Sequence, residues 1–140
     1  MASNSIAKKN ILMEAACVAA QAAVEKAKEL NIGISVCVVD SSAIEIALLR
    51  MNNSFLPSMG VARDKAYTSG GFGFPTMQWS EILQGNVQLQ AGIVQRPHVV
   101  TFGGGLPIME GDELIGAIGV SGGSEEEDII CAQAGIDAIS

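Results

Sequence analysis

The sequence contains few of the side chains from which metal and catalytic sites are usually built. It has one histidine, one tryptophan and one tyrosine in 140 residues, and aromatic residues make up 4% of it. Its three cysteines are far apart and lack the paired spacing of a zinc site. We therefore exclude zinc-binding and multi-histidine metal proteins, and we predict no metal site.

Positive charge is also scarce. Eight Lys and Arg residues stand against fifteen Asp and Glu residues, so the net charge is −7. Binding to a phosphate backbone needs a basic face, and no apolar run is long enough to span a membrane. We expect neither nucleic acid nor membrane as a partner. Cys17, Cys37 and Cys131 lie in apolar stretches and predict buried, reduced thiols in a cytoplasmic protein.

Apolar residues, in contrast, are abundant. They make up 49% of the chain, while charged residues make up only 16%, against about 25% in an average domain. A small domain with so few charges must expose apolar patches, and such patches usually mark subunit interfaces. We expect a single domain over residues 1–140 that forms a homo-oligomer, a tetramer or octamer built from dimers. The predicted contact surfaces are the alanine-lined first helix and the loop around Phe74.

Hydrophobic periodicity predicts an α+β fold. Helices are expected at 5–30, 58–69 and 76–83, and a last helix starts at Ser124, where Glu127 would complete a capping box. Strands are expected at 33–40, 44–50, 98–102, 106–109 and 113–120, while residues 85–97 fit no element. Because strands and helices do not alternate along the chain, the sheet should be antiparallel.

Two glycine-rich segments at strand ends are the most informative feature of the sequence. Glycine lets the backbone approach a ligand closely, so we interpret these segments as walls of a small-molecule pocket. The helix that carries Lys65 would complete the pocket. Arg50 and Lys65 are cations that suit a carboxylate. The predicted ligand-binding residues are Arg50, Lys65, Gly103, Gly104, Gly105, Pro107, Ser121, Gly122 and Gly123.

Two common motifs were tested against these segments. The five residues 119–123 match the G-x-S-x-G pattern of a hydrolase nucleophile, but His98 precedes Ser121 and that fold needs its histidine downstream. The glycine spacing does not match a dinucleotide fingerprint, and no Walker lysine follows the glycines. The acidic run 125–128 is explained by the helix dipole, which favours carboxylates in a first helical turn.

The sequence resembles the GlcG/HbpS-like family, also called the haem-degrading family, which includes the C-terminal domain of PduO-type proteins. The matching segments are Asp40, Arg50-Met51-Asn52, residues 62–66, 104–108 and 115–123, and Glu127-Asp128 with Cys131-Ala132. The resemblance implies a profilin-like fold, with a five-stranded antiparallel sheet flanked by helices, and oligomers. It also implies haem binding or degradation in some members and a link to diol or glycerol metabolism in others.

Departures from the family pattern matter for any haem site. Asn52 stands where the family has Asp, and Ser42-Ala43 where it has Gly-Gly. The first helix contains no histidine. Haem is the cofactor that the resemblance implies. Because the sequence has one histidine, His98 is the only imidazole available as an iron ligand.

Three hypotheses about function follow. The first is a small-ligand-binding accessory protein, related to haem or to corrinoids. The second is an enzyme acting on a small hydroxy acid, aldehyde or diol-derived metabolite, with Asp40 or Asp128 as base and Lys65 as electrostatic partner. A carboxylate whose pKa is raised beside Lys65 would favour it. The third is a structural module without a ligand, which filled glycine loops would favour.

Overall fold

The computed structural model describes residues 2–140. They contain an antiparallel sheet of four strands in the order β2-β1-β4-β3. The strands are β1 (Ser35–Asp40), β2 (Glu45–Arg50), β3 (Gly105–Glu110) and β4 (Glu113–Ser121). The helices are α1 (Met13–Glu29), α2 (Ser58–Phe72), α3 (Trp79–Leu83), α4 (Val87–Ile93) and α5 (Glu125–Asp137), and a 3-10 turn covers Thr76–Gln78. The predicted α+β class and antiparallel pairing are confirmed.

Helices cover both faces of this sheet. Helices α1 and α5 pack on one face, where Val36 and Val38 of β1 contribute to the core. Cys37 alternates with them and packs against Ala62 and Ala66 of α2 on the other face. The buried face of α1 consists of alanines, at positions 16, 19, 20, 23 and 27. Small side chains let this helix lie close to the sheet and to α5.

The prediction of a fifth strand at 98–102 is wrong. The Thr68 hydroxyl of α2 donates to His98 O (2.8 Å) and accepts from Val100 N (3.0 Å). These bonds satisfy backbone groups that a neighbouring strand would otherwise pair. His98 also has φ of 66°, outside the range of an extended strand. The segment therefore follows α2 instead of adding to the sheet.

The first helix is shorter than predicted, because residues 5–12 are not helical. Lys9 pairs with Glu110 (3.3 Å), and Ile11 N donates to Ile115 O (2.9 Å). These contacts with β3 and β4 hold the segment in a non-helical path. Cys17 is exposed, so the prediction that all three cysteines are buried is wrong for this one.

The other two cysteines are buried as predicted. Burial raises the pKa of Cys37 to about 12 and that of Cys131 to about 11, and carboxylates nearby act in the same direction. Both side chains are therefore thiols at neutral pH and poor nucleophiles.

The end of the chain follows the sequence prediction closely. Ser124 caps α5, with its hydroxyl accepting from Glu127 N, and the Glu127 carboxylate accepts from Ser124 N in return.

Residues 85–97, which the sequence left unassigned, contain α4. Among the helices of residues 2–140, none has the length and hydropathy that a membrane crossing requires.

Candidate functional site

The two glycine-rich segments enclose the side chain of Lys65. This residue lies on α2, and its Nζ donates to Val120 O (2.8 Å) and contacts Asp128 Oδ2 (3.0 Å). The other carboxylate oxygen of Asp128 accepts from Gly123 N at 2.9 Å. Lys65 is 1% exposed and Asp128 is 3% exposed. The lysine thus connects α2 with the end of β4 and with the first turn of α5.

The glycines make room for this lysine. A Cβ atom on Gly104 would lie 2.5 Å from Lys65 Nζ, and one on Gly119 would lie 3.0 Å from Lys65 Cβ. Gly103 is held from the other side, because its N–H donates to Glu125 Oε1 at 2.6 Å. The space that we interpreted as a ligand pocket therefore contains the chain's own lysine, an arrangement that favours the structural hypothesis for the loops.

Burial controls the ionisation of this pair. It lowers the pKa of the Lys65 ammonium and raises the pKa of the Asp128 carboxyl, while the attraction between the two charges acts against both shifts. The Phe102 ring covers the ammonium, with its centroid 5.1 Å from Nζ. A raised carboxyl pKa beside Lys65 is the feature that would favour an enzyme, but the enclosed pair offers no exposed edge to a substrate.

Among the remaining predicted residues, Asp40 and Arg50 lie away from the enclosed lysine. Asp40 is at the opposite end of β1 and caps the hairpin turn, where its Oδ1 accepts from Ser42 N (2.8 Å) and Ile44 N (3.1 Å). Ser121 pairs in register with Ser35 of β1, which pairs in turn with Arg50 of β2. Arg50 is thus two strands, or about 10 Å, from Ser121. Pro107 lies on β3, an edge strand, where its missing N–H is tolerated.

His98 lies in a different part of the molecule, against α2. Its Nδ1 is 2.8 Å from Asp64 Oδ1, and Tyr67 contacts the imidazole edge-on with the ring centroids 5.5 Å apart. The side chain of His98 is 62% exposed. Two clefts meet at this ring, one of about 320 Å³ and one of about 280 Å³. The larger is lined by Tyr67, Phe72, Ile93, Arg96, Pro97, His98 and Val99.

The Asp64 contact decides what the imidazole can do. When the neutral ring donates its Nδ1–H to the carboxylate, Nε2 keeps its lone pair and is free to bind a metal. Metal-binding histidines usually donate their other ring N–H to a carboxylate, a backbone carbonyl or water, so Asp64 is a suitable partner. Sequence reasoning missed Asp64, Tyr67 and Arg96. Asp64 stands in the 62–66 segment of the family resemblance, but nothing in the sequence pairs it with a residue 34 positions away.

The smaller of these two clefts also contains Cys37. Its Sγ is 3.6 Å from Glu45 Oε1, and the same oxygen accepts from Arg63 Nε at 2.8 Å. Because the carboxylate and the burial of the thiol both oppose a thiolate, this cysteine has no nucleophilic role.

The largest cleft described, of about 890 Å³, is acidic. It lies between α3 and the start of α5 and includes Glu81, Glu125 and Glu126 but no cation. It is a poor site for an anionic ligand. Nowhere in residues 2–140 do three His, Cys, Asp or Glu side chains cluster as metal ligands.

Most of the chain matches a known protein family. The family described as haem degrading protein HbpS-like matches residues 11–137. The chain belongs to this HbpS-like family. The resemblance predicted from the glycine blocks is confirmed, and the match spans every helix and strand described above.

The relatives differ in how much of their own length this chain covers. Corrinoid adenosyltransferase PduO of Salmonella typhimurium is 37% identical over 122 residues, which are 86% of this chain but 36% of PduO. The chain therefore spans about a third of that relative. The crystal structure of Klebsiella pneumoniae protein ORFY matches with a TM-score of 0.91 and 30% identity, covering 99% of this chain and 97% of ORFY.

A third relative has been solved with a ligand. The structure described as a PduOC:heme complex matches with a TM-score of 0.87 and 32% identity. The match covers 94% of this chain and 96% of that one. An HbpS-like domain of this sequence similarity and fold has therefore been crystallised with haem.

Proposed function

We propose that this protein is a haem-binding accessory protein and that His98 supplies the axial ligand to the iron. The proposal is supported by the haem complex of a relative and by the family description. The observation that carries it is the contact of 2.8 Å between His98 Nδ1 and Asp64 Oδ1, which leaves Nε2 free on an exposed ring.

The surroundings of His98 suit a planar, largely apolar cofactor with acidic groups. Tyr67, Phe72 and Pro97 provide apolar surface beside the imidazole. Arg96 lies in the same cleft, and its guanidinium suits a propionate. Asp64 would orient the ring and fix the tautomer that leaves Nε2 unprotonated. Bound haem would supply iron, while the residues of this chain bind it and fix its orientation.

Titration with hemin tests this proposal. We expect wild-type protein to shift the Soret band of hemin with saturable binding, and His98→Gly to lose that shift. Glycine is chosen because His98 has φ of 66°, a conformation that glycine adopts without strain. Added imidazole should restore the Soret shift in His98→Gly by occupying the space of the lost ring. Asp64→Asn should weaken hemin binding about tenfold or more.

A matched control separates ligation from adsorption. Ile6 is 88% exposed and lies outside the residues that line the two clefts at His98, so Ile6→Ala should bind hemin like wild type. An unchanged Soret shift in His98→Gly would remove the axial role of His98. Loss of binding in Ile6→Ala would instead indicate adsorption to exposed apolar side chains.

Three finer points belong to the same proposal. The similarity to PduO supports a corrinoid as an alternative ligand, so cobalamin is titrated in parallel with hemin and the tighter ligand is assigned. We also propose a role in diol or glycerol metabolism, on the strength of the family resemblance. A cytoplasmic location is supported by the three free cysteines, because unpaired thiols are typical of reducing compartments.

Self-association is the remaining part of the proposal, as a tetramer or octamer. Phe55 and Leu56 are neighbours in the loop before α2 and are 71% and 77% exposed, which makes an apolar patch. Phe74, the sequence-based choice for a contact, instead packs against Trp79 of its own chain, with the ring centroids 5.2 Å apart.

We expect Leu56→Asp to lower the mass of the assembly, because a two-fold contact places each new charge near its own copy. Light scattering after gel filtration measures this, with Val87→Asp as control. Val87 is 75% exposed but lies on α4, outside the patch. Wild-type protein that elutes at 14.5 kDa would contradict the proposal.

A further inference from the structure

We propose that the cleft beside Arg50 is a second binding site, for a small carboxylate with a short aliphatic chain. The cleft has a volume of about 400 Å³ and lies between the C-terminal half of α1 and the segment that follows β2. That volume falls within the range of small-molecule sites.

The charge of this cleft is opposite to that of the protein. Its lining includes Lys28 and Arg50 and no carboxylate, although the chain has a net charge of −7. Lys28 Nζ is 3.0 Å from Glu25 Oε1. Arg50 makes no ion pair within 4.0 Å among residues 2–140, so its guanidinium is available to a ligand. The acidic cleft beside α3 would repel the same ligand.

The remaining lining residues suit an amphipathic carboxylate. A guanidinium can bind both oxygens of a carboxylate through two parallel hydrogen bonds. Val24, Leu49 and Met51 offer apolar surface for an aliphatic chain, and the carboxamide of Asn52 offers a further donor.

The cleft is also held in shape by the backbone. Met51 N donates to Ile34 O at 3.0 Å, and Ile34 N donates to Met51 Sδ at 3.3 Å. Asn53 packs so closely against Gly33 that a Cβ atom there would lie 2.6 Å from the asparagine side chain. These contacts fix the segment that follows Arg50, so the site needs little ordering when it binds a ligand.

The site is separate from the proposed haem site. Glu45 lines a cleft with His98, and it lies five residues before Arg50 on the same strand. Five residues of extended strand span about 17 Å. A ligand of four or five carbons at Arg50 therefore does not reach His98.

Sodium butyrate is a suitable probe, followed by NMR of the ¹⁵N-labelled protein as purified. We expect saturable shifts of the amide signals of residues 49–53 and of α1 near Val24. Arg50→Gln should weaken butyrate binding about tenfold or more, because it removes the charged donor pair. Arg50→Lys should bind with intermediate affinity, since it keeps the charge and loses the bidentate geometry. Lys9→Gln, at an exposed cation outside the cleft, and His98→Gly should bind like wild type.

Butyramide has the same shape as butyrate without the charge, and we expect it to cause no saturable shift. Equal binding of butyramide and butyrate would overturn the proposal, as would unchanged butyrate binding in Arg50→Gln. Signals that move around Arg96 and not around Arg50 would also overturn it, because they would place the carboxylate elsewhere.

Discussion

Replacing Asp128 by Ala is expected to lower the free energy of unfolding by about 3–5 kcal/mol. The substitution leaves the Lys65 ammonium buried, 1% exposed, with Val120 O as its remaining hydrogen-bond partner. It also removes the acceptor of Gly123 N, so a second, half-buried donor loses its partner. Removing one member of a buried ion pair is costly because the other charge stays out of water without compensation.

A double-mutant cycle separates this cost from the value of the pair itself. Lys65→Met removes the charge and keeps an unbranched chain between Gly104 and Gly119. We expect the double variant Lys65→Met/Asp128→Ala to be more stable than the sum of the two single changes predicts, because no unpaired buried charge remains. Urea unfolding at one fixed protein concentration measures all four proteins, since the proposed self-association would make stability depend on concentration.

An exposed ion pair of the same chain is the control. Lys9 and Glu110 are 3.3 Å apart with side chains 55% and 64% exposed, so Glu110→Ala should cost less than about 1 kcal/mol. If Asp128→Ala costs no more than Glu110→Ala, then Lys65 and Asp128 do not hold α2, β4 and α5 together. The glycine loops would in that case need another explanation.

The sequence was a good guide wherever structure depends on neighbours along the chain. The capping box of Ser124 and Glu127 and the strands at 33–40, 44–50 and 113–120, which are β1, β2 and β4, depend on residues a few positions apart, and all were predicted. The family was also predictable, because its glycine blocks are contiguous in sequence.

Features that depend on distant residues were not predictable in the same way. The segment 98–102 has the β-branched composition of a strand, but Thr68, thirty positions earlier, takes its backbone hydrogen bonds. The glycine loops looked like the walls of a pocket because nothing in the sequence shows that Lys65 reaches Val120 across 55 positions. The contact between Asp64 and His98 could not be predicted either, because the two residues are 34 positions apart.

Helix α1 shows a different limit of prediction from sequence, which concerns the choice of its buried face. Met13, Cys17, Ala20, Val24 and Ala27 recur at the spacing of one helical face. A second set that includes Ala16, Ala19 and Ala23 has the same periodicity and is the set buried with Ala20 and Ala27. Periodicity cannot choose between two apolar faces of one helix. Close packing against α5, where Gly135 lies against Ala19 O, selects the face with the smaller side chains.

Gly119→Ala is the substitution expected to disturb the packing of α2 most directly. A Cβ atom at this position would overlap Ala62 O and lie 2.5 Å from Ala66 N, both backbone atoms of α2. Backbone of a packed helix cannot rotate out of the way as a side chain can. The helix would have to move off the sheet, so we expect a loss of about 3 kcal/mol or more in the free energy of unfolding.

The control for this change lies on α2 itself. Gly71 has no neighbour within 4 Å of its Cβ position, so Gly71→Ala should stabilise the protein by up to about 1 kcal/mol through helix propensity. The same chemical change is thus expected to have opposite signs at two glycines. Urea unfolding that shows similar small effects for both would contradict the close packing of α2 on β4.

Displacement of α2 should also change the geometry of the proposed haem site. Asp64 and Tyr67 are on α2, and Thr68 of the same helix holds the His98 backbone. Gly119→Ala leaves all of these side chains unchanged, yet we expect it to weaken hemin binding under conditions in which the variant is still folded. Butyrate binding at Arg50 should persist, because that cleft is lined by α1, the end of β2 and residues 51–53. A variant that loses both ligands equally would indicate global unfolding, whereas selective loss of hemin would assign the His98 site to the packing of α2 on β4.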